Sequence, residues 1–176
     1  MLLRTSRTEL ILTLSATCSI GPAADGSYLS RAAEATRMYE TILVPTDGSD
    51  PAGAALRHAA SLARVHDATV HLLYVADTNR DSVTTVGGEV VDALESEGER
   101  VIEAAREQLD STVDVVDAVE TGDPVETILD YGDLIDADVI VMGTHGRRGI
   151  DRVLLGSTTE RVVRLSPIPI VTVRGE

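Results

Sequence analysis

The sequence predicts an α/β fold, a single doubly wound sheet of parallel strands flanked by helices. Two observations carry this prediction. From residue 39 onward, five short runs of β-branched and aliphatic residues alternate with four helix-forming stretches. Such alternation builds parallel strands joined by right-handed crossovers, with helices on both faces. The runs are also continuously apolar, as befits strands buried on two sides. A chain of 176 residues holds one ordinary domain with a real core.

Residues 41–46 (TILVPT) predict the first strand, and Asp47-Gly48-Ser49-Asp50 a turn. Ser49 or Asp50 can cap the next helix, and Pro51 suits its first turn. That helix runs to about His66, with Leu56, Ala59, Ala60 and Ala63 on one face. Residues 69–75 (TVHLLYV) predict the second strand, and the polar, aperiodic residues 77–88 an exposed loop. Residues 89–109 predict a long helix, with Val90, Leu94, Val101, Ile102 and Leu109 available for its inner face. Residues 113–119 predict the third strand, after which Gly122-Asp123-Pro124 opens a helix to about Ile135. Residues 138–142 (DVIVM), 158–165 and 168–173 (IPIVTV) predict the fourth strand, fourth helix and last strand. Sheets of this kind bind ligands at the carboxyl ends of their strands, where the strand order switches. Thr46-Asp47, Val75-Ala76-Asp77, Thr121-Gly122 and Gly143 onward are therefore expected along one edge.

Residues 1–37 stand apart, with four Arg against three carboxylates ahead of a strongly acidic remainder. Residues 10–20 form an apolar run after two arginines, which reads as the core of a signal peptide. The run is too short to span a bilayer. The other readings are a disordered extension, or a start codon placed too far upstream with Met38 as initiator. The expectation is a leader, residues 1–37, that is disordered or precedes the true start, and a cytoplasmic domain, residues 38–176.

The formal net charge is −14, and all 15 basic residues are Arg. There is no Lys, Phe or Trp, so Val, Leu, Ile and Ala must build the core. Such a surface repels long nucleic acids, which need clustered basic charge, and no membrane partner is expected. A small anion remains possible where backbone N–H groups and an Arg converge. The acidic, Lys-free composition resembles that of proteins from salt-accumulating halophiles, whose carboxylate-rich surfaces stay hydrated in concentrated salt. Cys18 is the single cysteine, so no intrachain disulfide forms. His58, His66 and His71 lack the spacing of a metal site and read as structural.

The chemistry-bearing segment is Gly143, Gly146, Gly156 and Ser157, spaced Gly-x2-Gly-x9-Gly-Ser after the fourth strand and running into a helix. Gly143, Gly146 and Gly156 let backbone approach a ligand and adopt positive φ. The N–H groups of Ser157, Thr158 and Thr159 then lie free at the positive end of a helix dipole, a phosphate site. Arg147 or Arg148 can reach an outer phosphate, and His145 can contact phosphate or simply lie on the surface. Asp47 can face a base or ribose, or serve as a turn residue. Neither a Walker A sequence nor a Gly-x-Gly-x-x-Gly fingerprint is present.

Ile42-Leu43-Val44-Pro45-Thr46-Asp47-Gly48-Ser49, the Gly122-Asp123-Pro124 turn, Asp138-Val139-Ile140-Val141-Met142-Gly143-Thr144-His145-Gly146, and Leu155-Gly156-Ser157-Thr158-Thr159-Glu160 before Pro167-Ile168-Pro169-Ile170-Val171 resemble the universal stress protein family. The resemblance covers residues 38–176, and the glycine motif resembles that of the ATP-binding branch. It implies a sheet of five strands in the order 3-2-1-4-5, binding ATP, ADP or AMP, with or without Mg2+. It implies Pro45, Thr46 and Asp47 beside adenine and ribose, with Val75 behind the base. Met142, Gly143, His145 and Gly146 would line ribose and phosphates, with Arg147 at the outer phosphate. Gly156, Ser157, Thr158 and Thr159 would hold the phosphates. It also implies a homodimer through the last strand, Ile168 to Val173.

The leading functional expectation is a nucleotide-binding stress-response regulator. No positioned base or paired acidic metal ligands mark an efficient hydrolase. A slow ATPase, or autophosphorylation on Ser157 or Thr158, is the enzymatic alternative. A nucleotide-free dimeric interaction module is the other, and a flavin carrier rests on fold analogy alone.

Overall fold

The computed structural model describes residues 38–77, 89–146 and 155–175. The leader, most of the expected 77–88 loop and Arg147 lie outside the described residues, as do the side chains of Val90 and Leu94. The described elements alternate throughout: β1 (Thr41–Pro45), α1 (Asp50–His66), β2 (Thr69–Asp77), α2 (Glu89–Arg106), β3 (Val115–Gly122), α3 (Pro124–Leu134), β4 (Val139–Gly143), α4 (Ser157–Leu165) and β5 (Ile170–Val173). The strands form one parallel sheet in the order β3-β2-β1-β4-β5. This is the order implied by the resemblance.

Alternate strand residues feed two separate cores. Ile42, Val44, Val70, Leu72, Val139 and Val141 pack with α1 and α2 residues such as Leu56, Ala59 and Ile102. Leu43, Leu73, Ile140 and Met142 pack with Val125 and Ile128 of α3 and Val162 of α4. Period-two projection of strand side chains puts one set on each face, giving helix, sheet and helix layers. No aromatic residue belongs to either buried set. The helix α1 meets the sheet through Ala52, Ala55, Ala59, Ala60 and Ala63, whose small side chains allow close approach. Its start is set by Ser49, whose hydroxyl accepts the Ala52 N–H at 3.4 Å, and by Pro51 in the first turn.

Strand boundaries differ from expectation by one to three residues, most in the second, third and last strands. The third strand begins at Val115 because the Val113 N–H donates to the Asp110 carbonyl at 3.1 Å, folding the preceding residues into a turn. It then continues to Gly122 because β2 reaches Asp77 and supplies partners for Glu120, Thr121 and Gly122. The last strand begins at Ile170 because Ser166 holds Ile168: its hydroxyl accepts the Ile168 N–H at 3.0 Å and donates to the Ile168 carbonyl at 2.9 Å.

One half-buried polar pair lies in the α3 face of the sheet. His71 on β2 places Nδ1 3.2 Å from the Tyr131 hydroxyl of α3. Burial holds the His71 pKa below its ordinary 6.5. Burial first, and then the charge of Glu120, raise that of Tyr131.

Because the folded state disfavours the imidazolium, the unfolded chain takes up this proton first as pH falls through 6.5. Stability contributed by neutral His71 is therefore intact above that pH and declines below it. In urea unfolding, His71→Gln is expected to flatten the acid-side loss while leaving the neutral-to-alkaline side parallel to wild type; an unchanged acid-side slope would reject the role. A second expectation concerns Gly143, where an added Cβ would lie 2.8 Å from the carbonyl carbon of Pro51 and 3.0 Å from the Ala52 nitrogen. Crowding of this kind costs about 1–3 kcal/mol. That exceeds the roughly 0.4–1 kcal/mol gained by removing a glycine from the unfolded chain. Gly143→Ala should accordingly lower the urea midpoint, and a raised midpoint would refute the close approach.

Candidate functional site

The central strands β1 and β4 lie side by side, and the chain leaves their carboxyl ends toward opposite faces. The helix α1 packs on one face and α4 on the other. The two connections diverge around a crevice, the expected ligand position in a doubly wound sheet.

One wall is the turn between β1 and α1. The Thr46 N–H donates to the Leu73 carbonyl at 2.8 Å, and its hydroxyl oxygen accepts the Gly48 N–H at 3.2 Å. Asp47 Oδ1 accepts the Ser49 N–H at 3.1 Å. Gly48 has φ 74°, a conformation that glycine adopts without the steric penalty of a Cβ. The other carboxylate oxygen of Asp47 lies against Gly146, where an added Cβ would run into it. Asp47 and Gly146 thus meet across the crevice.

The opposite wall is the β4–α4 connection. The Thr144 N–H donates to the Val173 carbonyl at 2.9 Å, and the Thr144 carbonyl accepts the Gly156 N–H at 2.7 Å. The ends of the connection are therefore drawn together, and a Cβ at Gly156 would sit 3.2 Å from the His145 Cα. The Thr144 hydroxyl and His145 Nδ1 are 3.1 Å apart. Gly156 is the N-cap of α4 and brings no side-chain hydrogen bond to its first turn. The N–H groups of Ser157, Thr158 and Thr159 are thereby left without intrahelical partners at the positive end of the helix. The Thr159 hydroxyl is committed elsewhere: it donates to the Gly143 carbonyl at 2.9 Å and is buried.

The expectation of positive φ at the motif glycines is corrected. Gly156 has φ −71°, and among the described residues positive-φ glycines are Gly48 and Gly122. The motif glycines are needed because they lack a Cβ, which would collide at Gly143 and Gly146 and crowd the backbone at Gly156.

The structure brings Thr46, Asp47, Gly143, His145, Gly146, Gly156, Ser157, Thr158 and Thr159 to one edge. Pro45 is buried in β1, opposite Leu73. Met142 is buried in the α3–α4 core with Leu43 and Val162, which leaves its backbone for the edge. Val75 is half-buried on β2, paired with Glu120 and packed toward that same core. Arg147 lies outside the described residues. Two contributions escaped the sequence reading. Pro51, recognisable only as a helix-start residue, underlies the site by packing against both Gly143 and Gly175. Asp123, recognisable as a turn residue, caps α3 through Oδ1 and places Oδ2 3.7 Å from Arg161 of α4. Among the described residues, no group of three or more His, Cys, Asp or Glu side chains is placed to hold a metal ion. No described helix is long and apolar enough to cross a membrane.

Known proteins resemble this chain in sequence and fold. Universal stress protein MJ0531 of Methanocaldococcus jannaschii is 32% identical over 141 residues, covering 78% of this chain and 83% of that protein. The solved structure of MJ0577, a universal stress protein of the same organism, superposes with a TM-score of 0.72 at 33% identity, covering 79% of this chain and 98% of that one. UspA from Lactobacillus plantarum superposes with a TM-score of 0.69 at 32% identity, covering 77% and 98%. The profile of the universal stress protein family matches residues 38–174, from the start of the described structure through the last strand. With sheet order and sequence profile in agreement, this chain belongs to the universal stress protein family.

Proposed function

We propose that this chain binds an adenine nucleotide, ATP in the first instance, and acts as a stress-response regulator through its bound state. One observation carries the reading: the uncapped start of α4 lies beside a glycine-built connection that touches Asp47 across the crevice. Phosphate fits there because backbone N–H groups and the helix dipole both favour an anion. Two neighbours of the same fold add support. One universal stress protein was solved in complex with cAMP (TM-score 0.61, 23% identity), and that of Archaeoglobus fulgidus in complex with dAMP (TM-score 0.54, 21% identity). At such identity the likeness is one of fold, and the nucleotide comes to this chain by proposal.

In this reading Thr46 and Asp47 flank the ribose and base, with Pro45 beneath and Val75 behind. The backbone of Met142, Gly143, His145 and Gly146 lines the ribose and inner phosphates. Gly156, Ser157, Thr158 and Thr159 receive the phosphate chain, with Arg147 at its outer end. Mg2+ accompanies the phosphates as a ligand of the nucleotide. The domain works in the cytoplasm, as an ATP-binding-branch member suited to concentrated salt. It pairs with a second copy through β5, which among the described strands has β4 as its single neighbour. An edge strand offers its outward N–H and C=O groups to such a partner.

Acid precipitation of the purified protein is expected to release an adenine nucleotide, identified by chromatography. Protein that is empty and also fails to take up ATP would overturn the reading. Gly146→Val, which drives a side chain into Asp47, should weaken ATP binding by about tenfold or more, the equivalent of losing one good contact. Phosphate release above background with Mg2+, lost in Asp47→Ala, would instead favour the enzymatic alternative.

The dimer has its own test. Pro169 and Val173 direct their carbonyls toward β4, so the backbone of Thr172 faces outward. Thr172→Pro removes an outward N–H without cutting the β4 ladder. Light scattering should give a dimer mass for wild type and a monomer mass for the variant; a monomeric wild type would reject the assembly.

A further inference from the structure

Arg161 and Asp123 form a polar pair on the same edge that the nucleotide reading leaves unused. Arg161 lies one helical turn after Ser157, and positions four apart share a helix face. Helical Cα–Cβ bonds tilt toward the N-terminus, which directs the Arg161 side chain back toward the uncapped first turn. Its guanidinium lies 3.7 Å from Asp123 Oδ2, an ion pair too long for a direct hydrogen bond. The Arg161 side chain is 54% exposed and that of Asp123 is 25% exposed. Pairs of such exposure hold weakly. Asp123 does not depend on the pair, because its Oδ1 accepts the Val125 and Glu126 N–H groups at 3.0 and 3.2 Å. A cation on the second turn of an uncapped helix, held loosely by a carboxylate with other duties, is placed to change partners.

We propose that Arg161 reads the length of the phosphate chain: paired with Asp123 when the outer phosphate position is empty, it turns to the terminal phosphate of a nucleoside triphosphate when one binds. The inference rests on the nucleotide-binding reading and deepens it by giving the site a selectivity for triphosphate over monophosphate. It also links occupancy to the start of α3, since the exchange leaves Oδ2 of the capping residue to solvent.

The pair makes a test with opposite signs. Affinities of wild type, Arg161→Gln and Asp123→Asn for ATP and AMP are measured by calorimetry at one ionic strength, with circular dichroism confirming the fold. Arg161→Gln should weaken ATP by about tenfold and leave AMP within about twofold, the loss of one charge-assisted contact. Asp123→Asn keeps a good helix cap but removes the competing charge. It should tighten ATP by about threefold, a fraction of that contact. A pair that merely braces α3 against α4 would give the same sign for both variants, and that result overturns the proposal. Equal weakening of ATP and AMP in Arg161→Gln also overturns it, while leaving nucleotide binding intact. A wild-type protein that binds neither nucleotide removes both readings together.

Discussion

The carboxyl edge of the sheet depends on one crowded residue, Gly143. The first turn of α1 presses on it from one face, with the Pro51 carbonyl carbon 2.8 Å from the position a Cβ would take. From the other face, the buried Thr159 hydroxyl fixes the start of α4 by donating to its carbonyl at 2.9 Å. Its strand register with Val173 aligns β5 alongside. Gly143 therefore sets the positions of both helices that frame the crevice. The interactions beyond it, from Thr144 to Gly156 and from Asp47 to Gly146, refine an opening whose width is already decided.

That crowding is possible because the core is built from small and branched aliphatic side chains. Five buried alanines of α1 face the sheet, and no aromatic residue belongs to either core set. A large ring under α1 would lift the helix, and with it Pro51, away from β4. An aliphatic interior also gains from close contact, since each dispersion contact is small and needs near-optimal separation. Composition, core and site geometry are thus one constraint seen at three scales.

The fold was legible in the sequence because each strand is an apolar run ended by a turn residue, as in residues 41–46 followed by Asp47-Gly48. Boundaries slipped where backbone hydrogen bonds to neighbouring segments overrode the pattern. Val113 looks like strand but is drawn into a turn by Asp110, while Glu120, Thr121 and Gly122 look like loop but are recruited by the long β2. The glycine spacing located the candidate site, yet positive φ, one of the two reasons it suggested, does not apply there. Sequence separates Gly143 from Pro51 by about half the chain, so a need for no Cβ at a tertiary contact is invisible there, whereas a need for positive φ is the local reading. The role of the Thr159 hydroxyl was not legible, because which carbonyl it meets depends on how α4 returns over β4. The Asp123–Arg161 pair was hidden for the same reason.

A chain of net charge −14 is an unexpected host for a polyanionic ligand. The two are reconciled by range. The repulsion of a carboxylate-rich surface acts over the Debye length, about 8 Å at physiological ionic strength and about 3 Å at 1 M salt. The donors at the start of α4 act at hydrogen-bond distance and belong to the backbone, so their strength does not depend on the side-chain charge of the surface. Rising salt therefore removes the opposing field faster than it weakens the contacts. Acidity can then accumulate over the rest of the surface without cost to the proposed nucleotide site, provided the site relies on N–H groups rather than on a cluster of basic side chains. The uncapped helix start at Gly156 is the feature that satisfies this condition.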